Sequence, residues 1–440
     1  MAAYRGRALA LGVAGVLGIA SPAPALAVDT SSAAPTECDV RVLAGPAGRW
    51  YGGTAMDIET VPGLGVVYYG SVDLAPMPEP EERRAYVWYG LDSQPVPVGP
   101  TGTFSDIAFE LTSTGYINGQ SIVDEAGHER AWVQNLRTGK LTWVDTGDVE
   151  WVSVRRINDR GEAVGTLFGE GAEPARWLRP DRAPELLPSG DLGFAEAWAI
   201  TNRRDVVGSY AVEVPDGFVP QGVIWSSKGD ATPLVSNAGV TADSYPRLLT
   251  EAGQAAGQAW FGSWESGHYE AARWPDPDHI EPLGLLPGGG YSGAYGQSEG
   301  GWVVGLADRF DPESPAAEWG AVDHSVLWTR DASSVRVLPS PYGLEHGLTD
   351  WREWYGGAAH AANTALDQVG STSHVGWDED GHPLFGPTVY VNAGACGEVV
   401  ATTHTAFWEG DGSAQRRATV GQPDAYLHDA VRERLTTPAE

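Results

Sequence analysis

The chain has 440 residues, 58 of them Asp or Glu and 28 Lys or Arg, for a formal net charge of −30. A field of that sign repels nucleic acid and anionic membrane, which are held through clustered Lys and Arg, so neither is expected as a partner. Its 57 glycines and 31 prolines follow no collagen period and fit many tight turns between short strands.

From the N-terminus, residues 1–27 read as a signal peptide. Arg5 and Arg7 make the basic end, Ala8 to Ala20 the apolar stretch, and Ala25-Leu26-Ala27 the small-residue cleavage site. The apolar stretch is too short to span a bilayer, and no later one is apolar enough to anchor the chain. The mature protein is therefore expected to be secreted, extracellular and soluble. Residues 28–37 read as a flexible N-terminus, 38–422 as the folded body and 423–440 as a tail. In the tail, Asp424 caps a short helical pattern whose stripe is Leu427, Ala430, Val431 and Leu435. Cys38 and Cys396 stand near opposite ends of the body. An oxidising compartment favours their pairing as a disulfide, with two buried thiols as the alternative.

A short phrase organises the body: an apolar opener, a turn, and a run closing on Gly. It spans 111–119, 157–165, 200–208, 249–257, 297–305 and 362–370. Strands carrying Trp recur in step with it, at Trp88, Trp132, Trp177, Trp225, Trp274 and Trp328. The units return about every 45 to 55 residues, the range of four-stranded propeller blades rather than helical solenoids. In the third unit, 152–157, 162–167, 174–178 and 184–187 read as strands a to d. Arg49-Trp-Tyr-Gly-Gly-Thr-Ala-Met56 and Glu353-Trp-Tyr-Gly-Gly-Ala-Ala-His360 are near-identical and mark equivalent blade starts. The predicted fold is all-β, a β-propeller of seven blades with four antiparallel strands each. In the last unit 388–391 and 405–408 compete for strand c, and the stretch 376–400 is inserted or extends the blade.

These phrases resemble the HAF-repeat family of secreted bacterial proteins. Leu283-Gly-Leu-Leu-Pro-Gly-Gly289 is similar to its leucine-Pro-Gly-Gly linker. Ile157-Asn-Asp-Arg-Gly-Glu-Ala-Val-Gly165 is similar to its hairpin, and Thr405-Ala-Phe-Trp408 to its His-Ala-Phe-x-Trp strand. The resemblance implies a propeller-like extracellular fold and supplies no catalytic residues. Arg204 in place of the turn Gly, and Gln297 in place of the Ile, depart from the pattern.

In such a meander the b-to-c and d-to-a loops share one end, and here they are the long, variable ones. Function on a rigid scaffold usually sits on loops of that kind. The residue two before each opener differs between units while the residue before it stays small or compact. These positions are Phe109, Arg155, Trp198, Arg247, Tyr295 and His360, with Met56 by looser alignment. They are expected to ring the channel mouth, where Arg155 and Arg247 would attract a carboxylate-bearing sugar or peptide terminus. The alternative is that they fill a tapered channel. A second candidate is the aromatic group of Trp351, Trp354 and Tyr355 with Trp377, suited to stacking on sugar rings or protein. Gly296-Gln-Ser298-Glu-Gly300 matches a nucleophile elbow but falls on the a-to-b turn, where that geometry does not occur. Six histidines in the last two units lack zinc spacing, and Asp276-Pro-Asp278 and Asp378-Glu-Asp-Gly381 are only fragments of calcium loops.

The leading expectation is a non-enzymatic propeller, a monomer that binds an extracellular glycan or protein through its loop-rich face. No cofactor is implied, although a structural Ca²⁺ is compatible with an acidic exported protein. The alternatives are a glycosidase or lyase acting on an extracellular polymer, and a structural component of the cell surface.

Overall fold

The structure, a computed structural model, describes residues 37–48, 50–75, 82–149, 151–169, 171–214, 217–236, 243–262, 267–309, 322–347, 356–363, 368–377 and 383–404. Their strands form seven antiparallel sheets, and the first strands of the seven touch one another in a closed circle. This is a seven-bladed β-propeller. Blades 1 to 7 begin at the channel with Gly52–Val61, Ser105–Leu111, Trp151–Ile157, Ala195–Ile200, Ser244–Leu249, Ser292–Gln297 and Gly357–Ala362, the seven strands a. Each sheet then steps outward through strands b, c and d. Blade 3 shows the pattern in full, as Trp151–Ile157, Ala163–Phe168, Ala172–Trp177 and Glu185–Leu186. Outer strands as short as Glu185–Leu186 leave little open edge for pairing with another chain.

The core lies between the sheets. Val152, Val154 and Ile157 of blade 3 meet Ala131, Val133 and Val144 of blade 2 in one buried cluster that also takes in Trp177. All six repeat tryptophans are at most 1% exposed. Four of them also donate their indole N–H to the linker that precedes their blade: Trp88 to Ala44 O at 2.8 Å, Trp177 to Asp145 O at 2.7 Å, Trp225 to Pro188 O at 3.0 Å and Trp274 to Val235 O at 2.8 Å. A large ring fills the gap between blades while its one polar atom is satisfied, which is why Trp recurs there. In blade 7 Tyr390 takes that place, and its phenol donates to Pro339 O at 2.9 Å.

Closure of the ring joins the two ends of the body. Asp39–Val42 pairs with Pro383–Val391 and becomes the outer strand of blade 7, with Val40 opposite Tyr390. The Cys38–Cys396 disulfide clamps the same place, with its Cα atoms 4.7 Å apart across a sequence separation of 358. Thr388 to Val391 belongs to strand c of blade 7, and 405–408 lies outside the described residues. Of the stretch 376–400, Trp377 and Pro383–Val391 extend blade 7, as expected, but its end does not. Glu398–Ala401 crosses to blade 6 and adds a fifth strand beside Ser334–Val337. The signal peptide, the tail helix, Trp351, Trp354 and Tyr355 also lie outside the described residues. Among the described residues, no helix is long and apolar enough to cross a membrane.

Candidate functional site

Every strand a carries a β-bulge at the same point. Pairing with strand b slips by one at Met56, Phe109, Arg155, Trp198, Arg247, Tyr295 and His360. A bulge inserts one unpaired residue and re-aims its side chain. It also pushes a carbonyl of strand a onto the facing residue of strand b, and this explains the Gly that closes each phrase. A Cβ at Gly70, Gly165, Gly208, Gly257 or Gly305 would stand 1.9 to 2.0 Å from the carbonyl oxygen two residues before the bulge, and 2.5 Å from it at Gly119. Blade 7 solves the clash differently. Its a-to-b turn is one residue longer, so Ser371 rather than Gly370 faces Ala359, and the Ser371 hydroxyl donates to Ala358 O at 2.9 Å.

The bulged side chains meet around the channel. The Arg155 guanidinium lies over the rings of Phe109 and Trp198, at 5.5 and 4.9 Å. That of Arg247 lies over Trp198 and Tyr295, at 4.8 and 5.8 Å. Tyr295 and His360 follow at 6.3 Å between ring centroids. The His360 ring hydrogen-bonds Thr372 at 2.9 Å, and Thr372 reaches Thr54 of blade 1 at 2.7 Å, which completes the circle beside Met56. Trp198 and Arg247 are buried, whereas Phe109, Arg155, Tyr295 and His360 keep partial exposure. The ring therefore lies inside the channel, partway along strand a, rather than at its mouth. The groups gather around the axis and pack on one another.

Above the ring, toward the loop-rich end, blades 5 and 6 supply polar groups. Tyr291 Oη donates to Gln258 Oε1 at 2.7 Å and lies 3.3 Å from Tyr295 Oη. A Cβ at Gly293 would press on all three of these atoms at 3.1 to 3.3 Å, so the glycine leaves them room. Asp308 and Asp323 face each other across strands b and c of blade 6. Backbone N–H groups of Gly290 and Tyr291 hold Asp308, both at 2.8 Å, yet burial still pushes its carboxyl up to about 6. Burial, with Asp308 alongside, pushes Asp323 to about 8. Burial holds His324 neutral, down to about 3.

Below the ring, the a-to-b turns carry acids. Burial raises Glu59 to about 8, helped by Asp57, Glu110 and Asp159. Glu110 rises to about 8 by burial although Arg156 donates to it at 2.5 Å. These turns also bond to one another around the axis. Thr114 Oγ1 donates to Asp159 O at 2.7 Å, Asp159 N to Asn202 Oδ1 at 3.0 Å, Asn202 N to Glu251 Oε1 at 2.6 Å, and Glu251 N to Glu299 Oε1 at 2.9 Å. Arg204, at φ 72°, takes the left-handed position that Gly115, Gly161, Gly253 and Gly301 fill in the turns of blades 2, 3, 5 and 6, held by a 2.8 Å ion pair with Glu162. This end is a cross-linked support.

The remaining candidates resolve as follows. Ser298 caps its turn, accepting from Trp302 N at 3.2 Å, and is buried. Asp276 accepts from Asp278 N and the His279 ring, an ordinary turn, and the Asp378 fragment lies outside the described residues. Among the described residues, no group of three or more His, Cys, Asp or Glu could hold a metal ion. Trp377 belongs to an aromatic cluster with Tyr342, His346, Phe385 and the fully buried His374, in which Tyr342 and His346 stack at 3.9 Å.

Similar solved structures are propellers at low identity. The propeller domain of the Trilobed protease from Pyrococcus furiosus matches at 10% identity and TM-score 0.47, over 80% of this chain and 95% of that one. An oligogalacturonate lyase in complex with manganese matches at 11% and 0.47, over 80% and 93%. TolB from Acinetobacter baumannii matches at 15% and 0.40, over 58% and 59%. No family model matches the chain, and no curated protein sequence matches it.

Sequence reading missed Tyr291, Gln258 and the Asp308–Asp323 pair. A signal was present: Asp308 follows the closing Gly305 by three residues and Asp323 precedes Trp328 by five. Only pairing of strands b and c shows that these offsets face each other.

Proposed function

We propose that the protein is a secreted propeller that binds an extracellular ligand, glycan or protein, at the loop-rich end of its channel. One observation carries this reading. Seven bulges at one height turn side chains of six types into the axis, above a support whose turns bond to one another from blade 2 to blade 6. A repeat needs no such variety to pack, so the variety supports recognition. Exposed aromatics at that end, Trp151 and Phe104, add flat apolar surface for contact. The likeness to HAF-repeat proteins favours the same exported setting. The test is a glycan-array and extracellular-protein binding screen with the mature chain, repeated for Arg155→Ala, Trp151→Ala and, on the support end, Arg160→Ala. Binding lost in the first two and kept in the third is expected. Loss only in Arg160→Ala would overturn the assignment of the face.

A second reading, an enzyme acting on an extracellular polymer, draws on the Asp308–Asp323 pair, because carboxyls of unequal proton affinity serve as acid and base. It predicts product release from a bound polymer, which the binding reading does not.

A further inference from the structure

Resting on the assignment of the loop-rich end as the binding face, the geometry points to an acidic sugar, a uronate-bearing glycan, as the ligand class. Two independent features converge on it. The first is charge. In a chain of net charge −30 the ring places two guanidinium groups at the axis, in Arg155 and Arg247. Each lies between two aromatic rings, with its central carbon 4.8 to 5.8 Å from their centroids. A planar guanidinium suits the two-pronged recognition of a carboxylate, and a flexible ammonium does not.

The second feature is hydroxyl recognition. Tyr291, Gln258 and Tyr295 bring two phenols and an amide together over Gly293, a set that exchanges hydrogen bonds with a polyol. A peptide carboxy-terminus would use the arginines and leave this set without a role, so the sugar is favoured.

Binding should depend on pH in a defined sense. The groups around Asp323 are Asp308 opposite it, Tyr295 with Arg247 beside it, and His324 and Arg309 on its own sheet, with His268 of blade 5 acting on Asp308. Asp323 keeps its proton up to about 8. A bound carboxylate favours the neutral forms, so affinity should fall as Asp308 loses its proton near 6 and fall again as pH rises past 8.

The experiment is calorimetric titration of the mature chain with tetragalacturonate, its full methyl ester and a tetrapeptide with a free carboxy-terminus, at pH 6 to 9.5. The acid should bind at least about tenfold more tightly than the ester, the worth of one charge-assisted contact. Arg155→Ala should remove that preference with the melting temperature kept, and Arg155→Lys should restore only part of it. Asp323→Asn should bind and lose the decline above pH 8. Equal binding of acid and ester, lost in Trp151→Ala, would overturn the acidic-sugar inference and leave the loop-end face standing. Tighter binding of the peptide than of either sugar would overturn the inference in favour of a protein terminus. If no probe binds and the glycan and protein screen also finds nothing dependent on this face, both readings fall.

Discussion

Replacing Gly165 by Ala tests the link between the repeated phrase and the site. The new Cβ would stand 1.9 Å from Ser153 O and 2.8 Å from the Val154 Cα. Relief needs strands a and b to part by more than an ångström where ladder bonds require N···O near 2.9 Å, or the bulge to flatten. Overpacking of this kind costs about 1 to 3 kcal/mol, and a lost ladder bond about 1 kcal/mol more. The expected destabilisation is therefore about 2 to 4 kcal/mol. Gly169→Ala is the control in the same blade: nothing lies within 4 Å of its Cβ, and its change should stay within about 0.5 kcal/mol. Urea unfolding followed by tryptophan fluorescence reads both variants. If Gly165→Ala proves as stable as Gly169→Ala, the bulge does not require the glycine, and the account of the phrase is wrong. A flattened bulge would also turn Arg155 away from its place between Phe109 and Trp198, so glycan or protein binding should weaken in the same variant.

Trp177→Ala should cost about 3 to 5 kcal/mol, because it empties a fully buried site and leaves Asp145 O without its donor; a loss below 1 kcal/mol by the same urea assay would contradict the core assignment. Reducing the Cys38–Cys396 disulfide should lower stability by about 3 to 5 kcal/mol on the chain-entropy argument, with hydrogen exchange rising first in Asp39–Val42; two alkylated thiols without reductant would refute the pairing. Glu59 and Glu110 hold protons in the fold up to about 8, whereas the unfolded chain releases them near 4.5. Their contribution is thus fully present below pH 4.5 and is lost as pH rises to 8, by about 1 to 3 kcal/mol after allowing for partial exposure. Glu59→Gln should flatten part of that decline in a melting series from pH 5 to 8.5, and an unchanged slope would refute the assignment.

The repeat itself carried most of the fold. The spacing of openers, closing glycines and tryptophans determined the blade and its four strands and favoured seven blades, because each blade must bury the same faces against its neighbours. Arg155, Arg247, Tyr295 and His360 were legible as a varied set against small flanking residues, since variation at one fixed position of a repeat stands out from the pattern. Their bulges were not legible, because a register slip is a property of two paired strands and not of either alone. Nor could the sequence show that Arg247 and Trp198 are buried while Arg155 keeps access, that Tyr390 stands in for a tryptophan, or that Glu398–Ala401 joins blade 6. Each of these is a contact between segments far apart in the chain, and only closure of the ring brings such segments together. The Asp308–Asp323 pair belongs with them: two ordinary loop-flanking acids in sequence become one half-buried pair of unequal, raised proton affinity when strands b and c align, because desolvation and like charge, not residue type, set their proton affinity.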